Sequence, residues 1–299
     1  IENRYSLSGL SEATVYEFYV RAEWGPGDFG EWAGPYRFAT EQSVPAVEVS
    51  GSNNADGQYA NLKKAFSAIN ASDQTEKDIN IRIINDSYEG IAPTVIYQGN
   101  WTSLTICPEG AHRTVYGNVS GNPLIDINGA DMVAINGYLE ELTHGLTLVN
   151  YSSSSDEGTS TIRFINDAQY NTVEYCELLG SSSIMPDTDG GTVFFATSLN
   201  NGWGNSRDSI MNCIIGPAAP DKLPSKGVYG RSYHPQQWEN YTNYDNVITD
   251  NEIYDFHLES GCAGIYLRYG NGGWTIDGNR IYQTSSRIMN GIMYGIYFQ

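Results

Sequence analysis

The chain has 299 residues, of which 35 are acidic and 16 basic, for a net charge of −19. A field of that sign repels phosphate backbones and anionic lipid surfaces, which excludes nucleic acid as a partner. No run of about 18 apolar residues exists, which excludes membrane insertion by a helix.

Gly 32 and Tyr 22 are high counts, and charged residues make up only 17% of the chain, a mix that fits a β-rich protein with many turns. Cys107, Cys176, Cys213 and Cys262 form no C-x-x-C pair, and so neither a zinc site nor a disulfide framework.

In chain order, the first element is a strand. Tyr16, Phe18, Val20 and Ala22 alternate with Val15, Glu17, Tyr19 and Arg21; GPGDFG then reads as a turn and PYRFAT as a second short strand. Leu7, Gly9-Leu10, Thr14, Tyr16, Val20 and Ala22, with Gly34-Pro35 and Phe38 to Thr40, resemble the end of a fibronectin type III domain over residues 5–40. The resemblance implies a β-sandwich in which Tyr16 is the tyrosine-corner residue. Only the last three strands of such a sandwich are recognisable, so residues 1–41 are expected to be its C-terminal part, with the rest upstream. Residues 42–58, polar and turn-rich, read as a linker.

Tyr59, Leu62, Ala65, Phe66 and Ile69 follow at helical spacing, predicting an amphipathic helix over residues 59–70 with Asp56 as its N-terminal cap. Beyond it only short strands are expected: INIRII, SLTIC, PLIDI, MVAI, GLTLV and TIRFI. Two motifs then recur. Gly191-Thr-Val-Phe, Gly227-Val-Tyr, Gly264-Ile-Tyr-Leu and Gly295-Ile-Tyr-Phe form one series; TVEYCEL, SIMNCII, VITDNEI and TIDGNRI form the other, aligning Cys176, Cys213, Asn251 and Asn279. Near-constant offsets between the two series predict one coil per unit and a stacked solenoid over residues 59–299. Asn251 and Asn279 are expected to form a ladder, each amide bonding the next coil about 4.8 Å away. Cys176 and Cys213 would continue it as buried thiols rather than a disulfide, since in-register parallel neighbours seldom have suitable geometry.

Residues 46–299 resemble the right-handed parallel β-helix proteins of the pectate-lyase-like group, so the expected fold is all-β. YANLKKAFSAIN, PLIDINGADMVAINGY and TIRFINDAQYNTVEYCELLGSS resemble modules of large exported bacterial surface proteins, often type IX secretion cargo. This likeness implies that the early helix caps the open end of the solenoid, that the protein works outside the cell or on its surface, and that flanking domains of a longer chain, including further coils, surround it.

Stacking turns loops into surface columns. The loops after the glycine motifs carry Trp203, Trp238 and Trp274 together with Arg207, Arg231 and Arg268, and the longest adds Tyr233. Aromatic planes match the apolar faces of sugars, and arginine forks match hydroxyls or uronate carboxylates. A polysaccharide or surface glycan is therefore the expected ligand; the competing reading is that these aromatics fill corners of the coil. The loops before the glycine motifs carry carboxylates, and Asp187-Thr188-Asp189-Gly190 offers alternate oxygens of the kind calcium takes. A polysaccharide lyase or glycoside hydrolase acting on an acidic polysaccharide is the alternative function, with Lys226, Arg231, His234 and His257 as candidate lyase groups. No lyase or polygalacturonase signature is complete, so a non-catalytic surface or adhesion module takes precedence.

Overall fold

The computed structural model describes residues 5–198, 204–232 and 242–299. It is an all-β solenoid of stacked coils, and three long sheets run along it, with nine, seven and seven strands. Among the described residues every neighbouring strand pair of these three sheets from Asp78 onward is parallel, for example Asp78–Ile83 with Ser103–Pro108 in the first sheet and Arg113–Gly117 with Leu146–Asn150 in the second. In the third sheet Lys226–Gly230 pairs with Cys262–Leu267, and the latter with Met293–Phe298. Period-2 alternation is the cause: Ile79, Ile81 and Ile83, then Leu104 and Ile106, then Val133 and Ile135, point inward and are all at most 2% exposed. These side chains stack coil on coil into one continuous apolar core.

Two expectations near the start need correction. Residues 42–58 are more than a linker: Val47–Ser50 and Gly57–Tyr59 pair with each other, and Val47–Ser50 also pairs antiparallel with Asp78–Ile83. Val47 and Val49 are buried, which is what the alternation in VEV dictates. The helix, α1, spans Leu62–Asn70, and its N-cap is Asn61 rather than Asp56. Asn61 Oδ1 accepts from Lys64 N at 3.0 Å, whereas Asp56 accepts from Ser52 N at 2.8 Å and closes a local turn. Glu89, brought from the strand Ser87–Gly90, accepts from Leu62 N at 3.0 Å and Lys63 N at 2.8 Å, setting a carboxylate against the positive end of α1.

The file of Cys176, Cys213, Asn251 and Asn279 is as expected, because the residue after each pairs in register with its counterpart in the next coil: Glu177 with Ile214, Ile214 with Glu252, Glu252 with Arg280. Asn251 Oδ1 accepts from Cys213 N at 2.8 Å, and Asn251 Nδ2 donates to Asn279 Oδ1 at 2.9 Å. All four cysteines are free thiols. Two further ladders are present. Asn205, Asn243 and Asn271 form one, with amide contacts of 3.0 and 3.3 Å. Asn171, Asp208 and Asn246 form the other, with an acid in its middle position.

The glycine series is offset by one residue at its first member. Val193, Val228, Ile265 and Ile296 share a register, so Gly227, Gly264 and Gly295 align with Thr192, and Gly191 falls opposite Lys226. At two positions of this file a side chain has no room: an added Cβ at Gly227 would lie 2.7 Å from Ile253 Cγ2, and one at Gly264 2.6 Å from Ile281 Cγ2. Inward isoleucines of the second sheet occupy that space.

Before the solenoid, Val15–Val20 and Ala33–Ala39 pair antiparallel, Tyr16 stacks on Phe38 at 5.6 Å, and Tyr16 Oη accepts from Ser11 N at 2.8 Å.

Candidate functional site

The third sheet carries an outward file in which register places Asp126, Arg163, Phe194, Tyr229, Tyr266 and Tyr297 one above another. It begins as a partly buried ion pair: Arg163 holds the buried Asp126 through two bonds of 2.9 and 2.8 Å. It continues as rings, with centroids 5.6 Å apart from Phe194 to Tyr229, 5.4 Å to Tyr266 and 4.8 Å to Tyr297. Tyr294 stacks on Tyr297 at 4.4 Å.

Two residues beyond Tyr229 and Tyr266 come Arg231 and Arg268, and the loop of residues 181–190 lies across both. Asp189 Oδ1 accepts from Arg231 Nη1 at 2.9 Å and from Tyr229 Oη at 3.3 Å. One coil further on, Arg268 Nη1 donates to the Asp187 carbonyl oxygen at 2.6 Å, and its Nη2 lies 3.7 Å from the Asp187 carboxylate. The Tyr266 hydroxyl shares its proton between Gln299 Oε1 and Asp187 Oδ1, the latter at 3.3 Å.

Beneath the same loop lies Lys226, fully buried. Its ammonium donates to the carbonyl oxygens of Met185 at 3.2 Å, Pro186 at 3.2 Å and Thr188 at 2.5 Å, and sits 4.1 Å from the centre of the Tyr229 ring. Burial draws its pKa down to about 7, opposed by Asp189 and Asp187 and assisted by Arg268 and Arg231. Burial, reinforced by Asp189 at Tyr229 and by Asp187 at Tyr266, pushes both phenols well above the usual range, so they stay protonated.

Next to this cluster a pocket of about 370 Å³ opens, walled by Tyr266, Tyr294 and Tyr297, with Asp187, Lys226 and Gln299 among its polar lining. It is the feature of the cluster with room for a ligand, and its size is that of a small-molecule or sugar subsite.

Of the residues proposed for ligand contact, the structure brings Arg231 and Arg268 together, and with them Asp187 and Asp189. Arg207 is elsewhere, in the turn before Ser209–Met211, where its Nη1 meets Tyr170 Oη at 3.0 Å. Trp274 fills a corner of the coil, edge-on to Phe195 at 4.8 Å and donating from Nε1 to Asn243 O at 2.9 Å. Trp203, Tyr233 and Trp238 lie outside the described residues, as does His234. His257 is apart from the pocket, its pKa lowered by burial and by Arg287.

Asp187 and Asp189 face guanidinium groups rather than each other's ligand sphere, and the carbonyl oxygens that a calcium ion would need at this loop receive the Lys226 ammonium. Among the described residues no group of three or more His, Cys, Asp or Glu side chains is placed to hold a metal ion.

The tyrosines were the missed residues. Their signal was present in the repeated Gly-Val-Tyr and Gly-Ile-Tyr strings, since a residue one step from an inward Val or Ile on a strand points outward.

Among the described residues no helix is long and apolar enough to cross a membrane. No protein-family model matches this chain, and neither a curated protein nor a solved structure matches it.

Proposed function

We propose that this chain is a non-catalytic extracellular surface or adhesion module that binds a glycan on the outer face of its third sheet. One observation carries the reading: the tyrosine-walled pocket stands on a rigid stack of strands, while the ionisable groups around it engage one another. Tyrosine rings present apolar planes to the C–H face of a sugar, and Asp187 and Gln299 supply acceptors for its hydroxyls. The alternative of an acidic-polysaccharide lyase or hydrolase finds less support in the same groups. Lys226 has its N–H groups on three carbonyls and Asp189 is held by Arg231, which leaves Asp187 as a single open carboxylate rather than one of a free pair.

The finer fold assignment belongs to the same proposal. A right-handed, pectate-lyase-like β-helix accounts for three parallel sheets with one strand from each coil. The buried face of α1 (Leu62, Ala65, Phe66, Ile69) joins the solenoid core, as a cap over its first coil requires. The hydrogen bond from Ser11 N to Tyr16 Oη supports residues 1–41 as the C-terminal part of a fibronectin type III domain. That pairing of modules supports an exported bacterial surface protein, for which type IX secretion is the proposed route.

A glycan array read with the chain and with Tyr297→Ala tests the function. Signals on the array that fall at least tenfold in the variant are expected; a silent array, or signals that ignore the substitution, would remove the pocket from the proposal.

A further inference from the structure

We infer that the tyrosine pocket selects uncharged sugar residues and rejects uronates and sulfated sugars. This rests on the pocket being a glycan site and goes on to its ligand class. Two arginines and a lysine within one cluster look at first like a trap for acidic polysaccharide. Their partners argue otherwise.

Arg231 is engaged by the Asp189 carboxylate at 2.9 Å, and its side chain is only 25% exposed. Arg268 is turned onto Asp187, through the backbone carbonyl oxygen at 2.6 Å, and is 16% exposed. Lys226 lines the pocket but is fully buried, and three carbonyl oxygens take its ammonium. An incoming carboxylate would have to enter space largely closed to solvent to reach any of the three cations, and neither Arg231 nor Arg268 is among the residues that line the pocket.

What the rim presents instead is a negative charge. The Asp187 side chain is 72% exposed and lines the pocket, so it is the charged group that a ligand meets first. Its distance from the Arg268 guanidinium, 3.7 Å, leaves the carboxylate oxygens open to hydroxyl donors. The surrounding field has the same sign, since the whole chain carries −19. A neutral pyranose keeps both favourable contacts, rings on its face and a carboxylate on its hydroxyls. A uronate brings like charges together across a few ångströms of partly desolvated space.

The test is isothermal titration of the chain, at low salt, with neutral hexasaccharides (β-1,4-linked glucose, xylose and mannose, and α-1,4-linked glucose) and with galacturonate and mannuronate hexamers. At least one neutral oligomer is expected to bind, with both uronates weaker by about tenfold or more. Asp187→Asn should narrow that gap, and Tyr297→Ala should abolish binding of both classes, with Tyr294→Ala as a second probe if Tyr297→Ala unfolds. Uronate binding equal to or tighter than neutral binding, yet lost in the tyrosine variant, would overturn the charge selection and leave the glycan site standing. Absence of binding by every oligomer, or binding indifferent to both tyrosine variants, would overturn the site itself and the inference with it.

Discussion

Replacing Asp208 by asparagine should stabilise this protein, and increasingly so as pH rises. Asp208 occupies the middle of a buried ladder in which Asn171 above it donates through Nδ2 to Ala130 O at 3.0 Å, and Asn246 below it through Nδ2 to Asn205 O at 2.9 Å. At position 208 the corresponding atom is a carboxyl oxygen, Oδ2, which is buried and lacks a hydrogen-bond partner. Oδ1 behaves as the ladder requires, accepting from Asn171 N and Nδ2 at 2.9 Å each. Burial pushes the Asp208 pKa well above the usual carboxylate range; Asp131 adds to the rise and the two bonds from Asn171 oppose it. The folded state therefore keeps a proton that the unfolded chain has released. Stability falls as pH climbs from the ordinary carboxylate range toward the raised folded value, because the native state binds more protons there. Asparagine restores a donor at that atom and does not titrate. Satisfying one buried polar group is worth about 1–3 kcal/mol, and each kcal/mol moves the melting temperature by roughly 2–4 °C in a chain of this order of size. Thermal unfolding of both proteins between about pH 4 and pH 8, across the window set by the raised carboxyl, should show curves that diverge with pH. A variant less stable than the parent, or one with the parent's pH slope, would refute the protonated-ladder account.

Other outcomes follow from the same structure. Lys226, with its pKa lowered to about 7, should make the fold more stable as pH rises from there to the ordinary lysine range, since the unfolded chain then binds the extra proton. Lys226→Met should flatten that slope in urea titrations, and an unchanged slope would contradict it. Gly264→Ala forces a methyl to 2.6 Å from Ile281 Cγ2 and should cost about 1–3 kcal/mol in chemical denaturation; a change below roughly 0.5 kcal/mol would mean the coil can yield. Asn251→Ala removes the acceptor for Cys213 N and the donor to Ile210 O, and a loss of about 2–4 kcal/mol is expected from the same measurement.

The coil period, the inward apolar files and the asparagine ladder were legible in the chain itself. They depend on a local rule, alternation along a strand, applied again each time the chain completes a turn, so residues with the same duty recur at nearly the same interval. Asn251 and Asn279 could be paired on spacing alone. The tyrosine file was half legible: the motif exposed its recurrence, but the face it lines depends on register, which the one-residue offset at Gly191 shows spacing alone to misjudge. The cluster around the pocket was decided only in three dimensions. Asp189 and Arg231 are 42 residues apart, and Asp187 reaches Arg268 across 81, because the loop of residues 181–190 runs over two neighbouring coils instead of staying within its own. A loop's path is set by what it can satisfy on arrival, here three carbonyls on a buried ammonium and two carboxylates on guanidinium groups, and no periodicity encodes that.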